Sequence, residues 1–325
     1  MTTVRTLRGK TFVQSKASSG ERVYFLPNVE QLPLGIVYSR AKHYEDKTSG
    51  KILGITFSIP DQSEICILME KLEEKVVTED WFIKSDPKMT DQVKEFCNAV
   101  DRVMTSYSGF ESFLVGLCGE IILLNEVLRN LTSDSQKISW IKSWKGFDNT
   151  SRDFIGERIA VEVKTTKHSS SYHTISNINQ TSLKDTEGGK IEKLFLASIS
   201  LDTDGDAKSL PILVTELLTL LPKSVDKDEV LTSISTYGGT EGPGYLHRVH
   251  KNYQAFMTKS FNVHFLRIYD MADARIKVPK MSDISEFNHL NKSRMVFDIE
   301  LPPVLAGDPK NPLEVPDLIA SYPEP

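Results

Sequence analysis

The sequence contains no run of about 18 apolar residues, so no membrane-spanning helix is expected. Its first residues, MTTVRTLRGKTFVQSK, lack the apolar stretch that a secretory signal needs. Cysteine is scarce. Cys66, Cys97 and Cys118 are scattered without metal-ligand spacing, which argues against a disulfide framework or a Cys-x-x-Cys zinc site. That usage fits a reducing compartment, and a cytoplasmic location is expected. A surplus of positive charge is also missing: 39 Lys and Arg face 44 Asp and Glu, for a formal charge of −5 and a pI near 5.9. Stand-alone nucleic-acid binders are usually basic, because phosphate neutralisation dominates their affinity. Any such role here must rest on local patches, a bound cation or a partner. Phosphate-loop and Rossmann glycine patterns are absent, since Gly238-Gly239 leads into Pro243 and not into a helix opening with Lys-Ser/Thr.

What is present is an ordinary globular composition, 325 residues with 39% hydrophobic and 26% charged, enough for two or three cores. Residues 1–88 read as a β-rich domain, with strands expected over 50–59 and 64–69. Residues 89–221 read as a second domain. Val93, Phe96, Val100, Val103 and Met104 fall at helical spacing, as do Leu117, Ile121, Leu124 and Leu128. Short strands are expected at 138–141, 152–155 and 158–166, then a short helix over about 177–185 capped by Ser176, a strand over 193–201 and an apolar helix over 210–221. Residues 222–325 read as an α+β region, with strands over 261–268 and 295–301 and an irregular or extended Pro-rich tail from Pro302. The order suits an α/β (α+β) fold with a mixed central sheet flanked by helices.

The chemistry concentrates in one stretch. In Ile159-Ala160-Val161-Glu162-Val163-Lys164-Thr165, strand alternation puts Ile159, Val161 and Val163 on one face and Glu162 and Lys164 on the other. Asp153 lies nine residues before Glu162, and a hairpin through Gly156-Glu157 brings the two together. Converging carboxylates suit a hard divalent cation such as Mg²⁺. Such an ion acidifies water and neutralises phosphoryl charge. A neighbouring lysine can orient or deprotonate the attacking water, or stabilise phosphoryl oxygens. The competing reading is a solvated Glu-x-Lys pair on an exposed face, worth little energetically.

Two further residues join the candidates. Glu120, at the edge of the buried face carrying Leu117 and Leu124, is a third carboxylate, and Gly116 and Gly119 would let its helix approach the sheet. Its plainer reading is a helix-surface acid. Gln180 can orient water or hold a phosphate or base edge; otherwise it is a solvated helix residue.

Together, Gly116–Leu124, Trp144-Lys145-Gly146, Arg152-Asp153-Phe154, Glu162-Val163-Lys164-Thr165-Thr166 and Ile175-Ser176 with Gln180 resemble the bacterial PD-(D/E)xK proteins found among restriction and phage-defence genes. The resemblance implies a restriction-endonuclease-like core and a Mg²⁺-dependent DNA endonuclease, with Mn²⁺ able to substitute. It also implies catalytic roles for Asp153, Glu162, Lys164, Glu120 and Gln180, with Asp153, Glu162 and Glu120 holding the metal. Arg152 stands where the motif's leading Pro would be. The expected partners are DNA and other subunits of a defence system, not a membrane, and a dimer is compatible with that role. The rival function is a non-catalytic or partner-dependent DNA-binding or scaffold subunit of such a complex; an RNA or nucleotide nuclease is a third reading.

Two weaker clusters complete the survey. His168 and His173 flank Ser169-Ser170-Ser171 and, with Lys164 and Lys167, form a candidate phosphate-facing patch; a polar loop is the simpler reading. His247, Arg248, His250, Lys251 and Lys259, interleaved with Tyr245, Tyr253 and Phe256, could contact a nucleic-acid backbone or form an amphipathic helix with a buried aromatic face.

Overall fold

The computed structural model describes residues 5–6, 13–16, 21–60 without 28, 30, 34 and 46–47, then 65–72 without 66–67. It continues over 89–322 without 107, 147–151, 183–184, 187–188, 203–206, 239–243, 253 and 308–309. The chain forms two compact units. The first holds Met1–Leu114 and Ile234–Ala255, and the second holds Val115–Ser233 and Phe256–Pro325.

The first unit is built on an antiparallel sheet of β1 (Arg5–Thr6), β2 (Val13–Lys16), β3 (Glu21–Pro27), β4 (Ala41–Glu45) and β5 (Ile52–Pro60), in the order β1-β2-β3-β5-β4. Tyr24 and Leu26 of β3 alternate inward, as do Ile55, Phe57 and Ile59 of β5. The helix Met89–Ser106 adds Val93, Phe96 and Val100 to that unit's core, with the Phe96 ring 6.0 Å from Phe57. The strand expected over 64–69 does not form: Ile65 and residues 68–72 are helical. Ile65, Met69 and Leu72 are buried at spacings of four and three, a helical period that outweighs the β-branched composition. Tyr245 and His250 also belong to this unit and are buried, and His250 Nε2 lies 2.8 Å from Gly35 O. That part of the basic-aromatic cluster is therefore core. Tyr253 lies outside the described residues.

The second unit carries a mixed sheet. Its strands are β6 (Phe154–Ile155), β7 (Ile159–Thr166), β11 (Lys193–Asp202), β12 (Lys208–Ser209) and β13 (Ser260–Asp270), ordered β12-β13-β11-β7-β6. β7 and β11 are parallel; β6 and β13 run antiparallel to their neighbours. The chain between the parallel pair carries β8 (Ser171–Ile175), a 3-10 turn (Ile178–Gln180) and a small hairpin of β9 (Asp185–Thr186) and β10 (Gly189–Lys190). β8 pairs with β14 (Phe297–Leu301). Ala160, Leu194, Leu196 and Tyr269 form one core cluster with Ile175, Ile299 and Leu301 of that pair. Because β13 completes the sheet, its part of the C-terminal stretch belongs to the same unit as β7.

The helix Ser108–Asn130 is buried at nearly every position from Leu114 to Leu128, a central element and not a one-faced surface helix. Its Asn125 donates to Leu213 O at 3.1 Å, tying it to the apolar helix Leu210–Leu220.

Three local expectations are corrected here. Residues 138–141 lie in a helix, Asp134–Ser143, which buries Trp140 and Ser143 three residues apart. The helix expected over 177–185 is only the 3-10 turn, capped by Asn177, whose side chain accepts from Asn179 N at 2.9 Å. The tail from Pro302 is not irregular throughout: Leu313 pairs with Ile268, the helix Val315–Ser321 follows, and the Tyr322 ring lies 4.5 Å from Trp140.

Candidate active site

The β6–β7 hairpin sets the site's register. Phe154 pairs with Val161 and Ile155 with Ala160, so the next step of the ladder brings Asp153 to the level of Glu162. Asp153 sits in a bend just before β6, not in the strand, and its Oδ2 accepts the Val163 N–H at 2.6 Å. A carboxylate thus satisfies a backbone donor of β7 at the point where β6 peels away.

β7 is buried on both faces for most of its length, as expected of a strand with a parallel neighbour. Glu162 is only 3% exposed, so the solvated-face reading does not hold. A buried carboxylate is costly unless paired and hydrogen-bonded. Glu162 Oε1 accepts from Gln180 Nε2 at 2.7 Å and lies 3.2 Å from Lys164 Nζ. Its other oxygen, Oε2, is buried with no hydrogen-bond partner, and Arg152 Nη1 stands 4.0 Å from it. Gln180 is itself fixed, its amide oxygen accepting from Ser176 N at 3.0 Å and Ser176 Oγ at 3.3 Å.

Glu120 enters from the central helix. Its Oε2 accepts the Trp144 indole N–H at 2.7 Å. Gly146 packs so closely on this carboxylate that a Cβ there would collide with it. Gly119, one residue earlier, lies against Thr165 of β7, where a Cβ would strike Thr165 Oγ1. The glycine therefore sets the helix-to-sheet distance that delivers Glu120.

The fields of these groups show their proximity. Burial, and after it the Asp153 charge, push Glu162 up to about 8 against the lowering pull of Lys164 and Arg152. Asp153 is raised well above its ordinary range by burial and then by Glu120, against its bond from Val163 N–H and the charges of Lys164 and Arg152. Among the described residues no three His, Cys, Asp or Glu side chains form a closed metal-holding group. The acids are neighbours by field, and not a finished ligand cage. The donor set nevertheless fits a hard divalent ion: Asp153 and Glu162 offer oxygen ligands, and Glu162 Oε2 lacks any donor.

All five expected residues lie in this unit. Four, namely Asp153, Glu162, Lys164 and Gln180, are linked to one another by contact or by field, and Glu120 reaches the group through its charge on Asp153. Sequence reasoning missed Arg152, noted only for replacing a Pro, and the indole of Trp144. The signal for Arg152 was a guanidinium beside the first acid of the motif. The expected His168/His173 patch does not form as such. His173 points inward on β8, its Nε2 lies 2.7 Å from Ser198 Oγ, and burial, then the charges of Lys164 and His168, pull it down to about 4. Lys167 and His168 remain exposed.

No helix of the described residues is long and apolar enough to cross a membrane. No curated protein matches this chain, and no solved structure does. A family model described as "Putative PD-(D/E)XK family member, (DUF4420)" matches residues 25–266, well over half of the chain and all of the site just described. One hairpin of a mixed sheet thus carries Asp153, Glu162 and Lys164, and the chain belongs to this PD-(D/E)XK family, in a superfamily whose members are usually nucleases.

Proposed function

We propose that the protein is a cytoplasmic, Mg²⁺-dependent DNA endonuclease acting in restriction or anti-phage defence, with Mn²⁺ able to replace Mg²⁺. The observation that carries this reading is Glu162: a buried carboxylate beside Asp153, with one oxygen held by Gln180 and Lys164 and the other left without a donor. Asp153 and Glu162 would hold the ion, with Glu120 reaching it or its water shell. Bound there, the ion supplies charge neutralisation for a phosphoryl group and acidifies water.

The remaining work falls to the chain. Gln180 fixes which oxygen of Glu162 faces the ion. The Asp153 bond to Val163 N–H fixes the first acid against β7. Lys164, partly exposed beside Glu162, is the side chain that meets the attacking water or a scissile phosphate oxygen. The buried apolar shell from Ala160 and Leu196 keeps bulk water from the inner side of the site.

Cleavage of plasmid DNA with Mg²⁺ or Mn²⁺ tests this, comparing wild type with Asp153→Ala and Lys164→Ala. Metal-dependent nicking by wild type alone supports the catalytic assignment, and equal activity in all three sinks it. The net charge of −5 favours a second reading, a subunit that cuts or binds DNA only within a defence complex. Activity that emerges only with partner proteins would mark that case, and an RNA substrate in the same assay separates an RNA nuclease.

A further inference from the structure

Arg152 is a feature of the site that the nuclease chemistry leaves unexplained. The residue is 6% exposed, so its guanidinium cannot serve as a surface contact to DNA. Its Nη2 donates to Ser182 O at 2.6 Å. Ser182 is anchored in turn, its Oγ accepting from Met281 N at 2.6 Å. Nη1 reaches toward Glu162 but stops 4.0 Å from Oε2, beyond hydrogen-bond distance. The charge of Arg152 acts on both Glu162 and Asp153.

This placement differs from that of Lys164. The lysine bonds Glu162 Oε1 and is partly exposed, so its flexible stem can carry the charge away when another cation arrives. Arg152 is buried, held at its far nitrogen, and aimed at the very oxygen that has no donor. It balances charge on that oxygen without occupying its lone pairs. A guanidinium so held cannot withdraw when a divalent ion enters.

We propose that Arg152 is a resident counter-cation of the site, a positioning residue that stabilises the buried carboxylates without an ion and, by fixed repulsion, holds divalent-ion affinity down. The inference rests on the reading of Asp153 and Glu162 as metal ligands. It makes the ion exchangeable and gives the ion-free fold a reason to be stable despite three acids in one neighbourhood.

Mn²⁺ affinity of the full chain, measured by calorimetry in EDTA-stripped protein, tests it in wild type, Arg152→Met, Arg152→Gln and Arg152→Lys. The assay is run near pH 8.5, so that proton competition at the raised carboxyls is small. Removing the fixed charge should tighten Mn²⁺ binding by about tenfold or more in the two neutral variants, while Arg152→Lys stays within about threefold of wild type. Each neutral variant should also melt lower than wild type without Mn²⁺ and gain more on adding it. A merely structural role would weaken binding in all three variants. Equal or weaker binding in a folded neutral variant overturns the proposal. If both neutral variants are unfolded without metal, refolding by Mn²⁺ supports it and failure to refold contradicts it. A wild type that binds no Mn²⁺ would instead remove the metal-centre reading underneath.

Discussion

Gln180 Nε2 donates to Glu162 Oε1 across 2.7 Å, and the other end of the same amide accepts from Ser176 N and Oγ. The amide is clamped at both ends, so it determines the rotamer of a carboxylate that would hold a metal. Gln180→Ala removes this support but leaves the ligand itself. Outer-shell changes of this kind cost about 10–100-fold in metal affinity or activity. Mg²⁺-dependent cleavage should fall by about that factor with little change in melting temperature, because the 3-10 turn keeps its Asn177 cap. Wild-type cleavage by Gln180→Ala would remove Gln180 from the machinery.

Stability should depend on pH and metal together. Glu162 is raised to about 8 and Asp153 is raised as well, so the folded state favours their protonated forms. That stabilisation is fully present below the ordinary carboxyl range and is lost as pH rises through the folded values, near 8 for Glu162. The EDTA-treated protein should therefore melt lower at about pH 9 than at about pH 6. Saturating Mg²⁺ requires the ionised carboxylates and releases their protons, so its stabilising effect should grow over the same window. Thermal unfolding with EDTA and with Mg²⁺ checks both slopes. A metal effect that is constant across this range would contradict the proposed ligands.

Gly119 is a packing requirement. Alanine is the better helix former by about 1 kcal/mol, yet a Cβ at this position strikes Thr165 Oγ1. Thr165 is β-branched and stiff on its strand, so it yields poorly. Gly119→Ala should destabilise by about 1–3 kcal/mol in urea unfolding, as overpacking does. Adding Thr165→Ala should recover most of the loss, a coupling that a double-mutant cycle reads directly. Simple additivity of the two changes would mean the contact is not what spaces the helix from the sheet.

Glu120 offers a third handle. Trp144→Phe keeps one six-membered aromatic ring but removes the indole N–H that Glu120 Oε2 accepts, together with the five-membered ring that carries it. A hydrogen bond to a charged group contributes about 1.5–3 kcal/mol, and unfolding should show a loss in that range. Gly146→Ala instead pushes a Cβ into the carboxylate, so cleavage should fall more than stability. Unchanged cleavage in Gly146→Ala would show that the position of Glu120 does not matter to the reaction.

The hairpin that carries the candidate site was legible because its signals are local. Strand alternation predicts that Glu162 and Lys164 share a face, and the nine-residue spacing through a Gly-containing turn predicts that Asp153 meets them. The family resemblance was legible in the motif stretches between residues 116 and 180, and the mixed sheet because β7, β11 and β13 are long and strongly patterned. Residues 138–141 were misread because Ile138, Trp140 and Ile141 look β-prone in isolation. Tertiary packing of Trp140 against Phe154 and Tyr322 favours the helix instead. The 3-10 turn at 178–180 escaped because Asn177 and not Ser176 caps it, a choice decided when Gln180 takes the Ser176 donors. Arg152 escaped because its partners, Glu162 and the Ser182 carbonyl, lie 10 and 30 residues away in sequence.

The central claim, that Asp153 and Glu162 jointly hold a divalent ion, is tested most directly by crystals soaked in Mn²⁺ and measured for anomalous scattering. One anomalous peak within coordination distance of both Asp153 and a Glu162 oxygen, absent in Asp153→Ala crystals, is the expected result. Saturated crystals with no peak there, or with Mn²⁺ bound only away from the two acids, would contradict it.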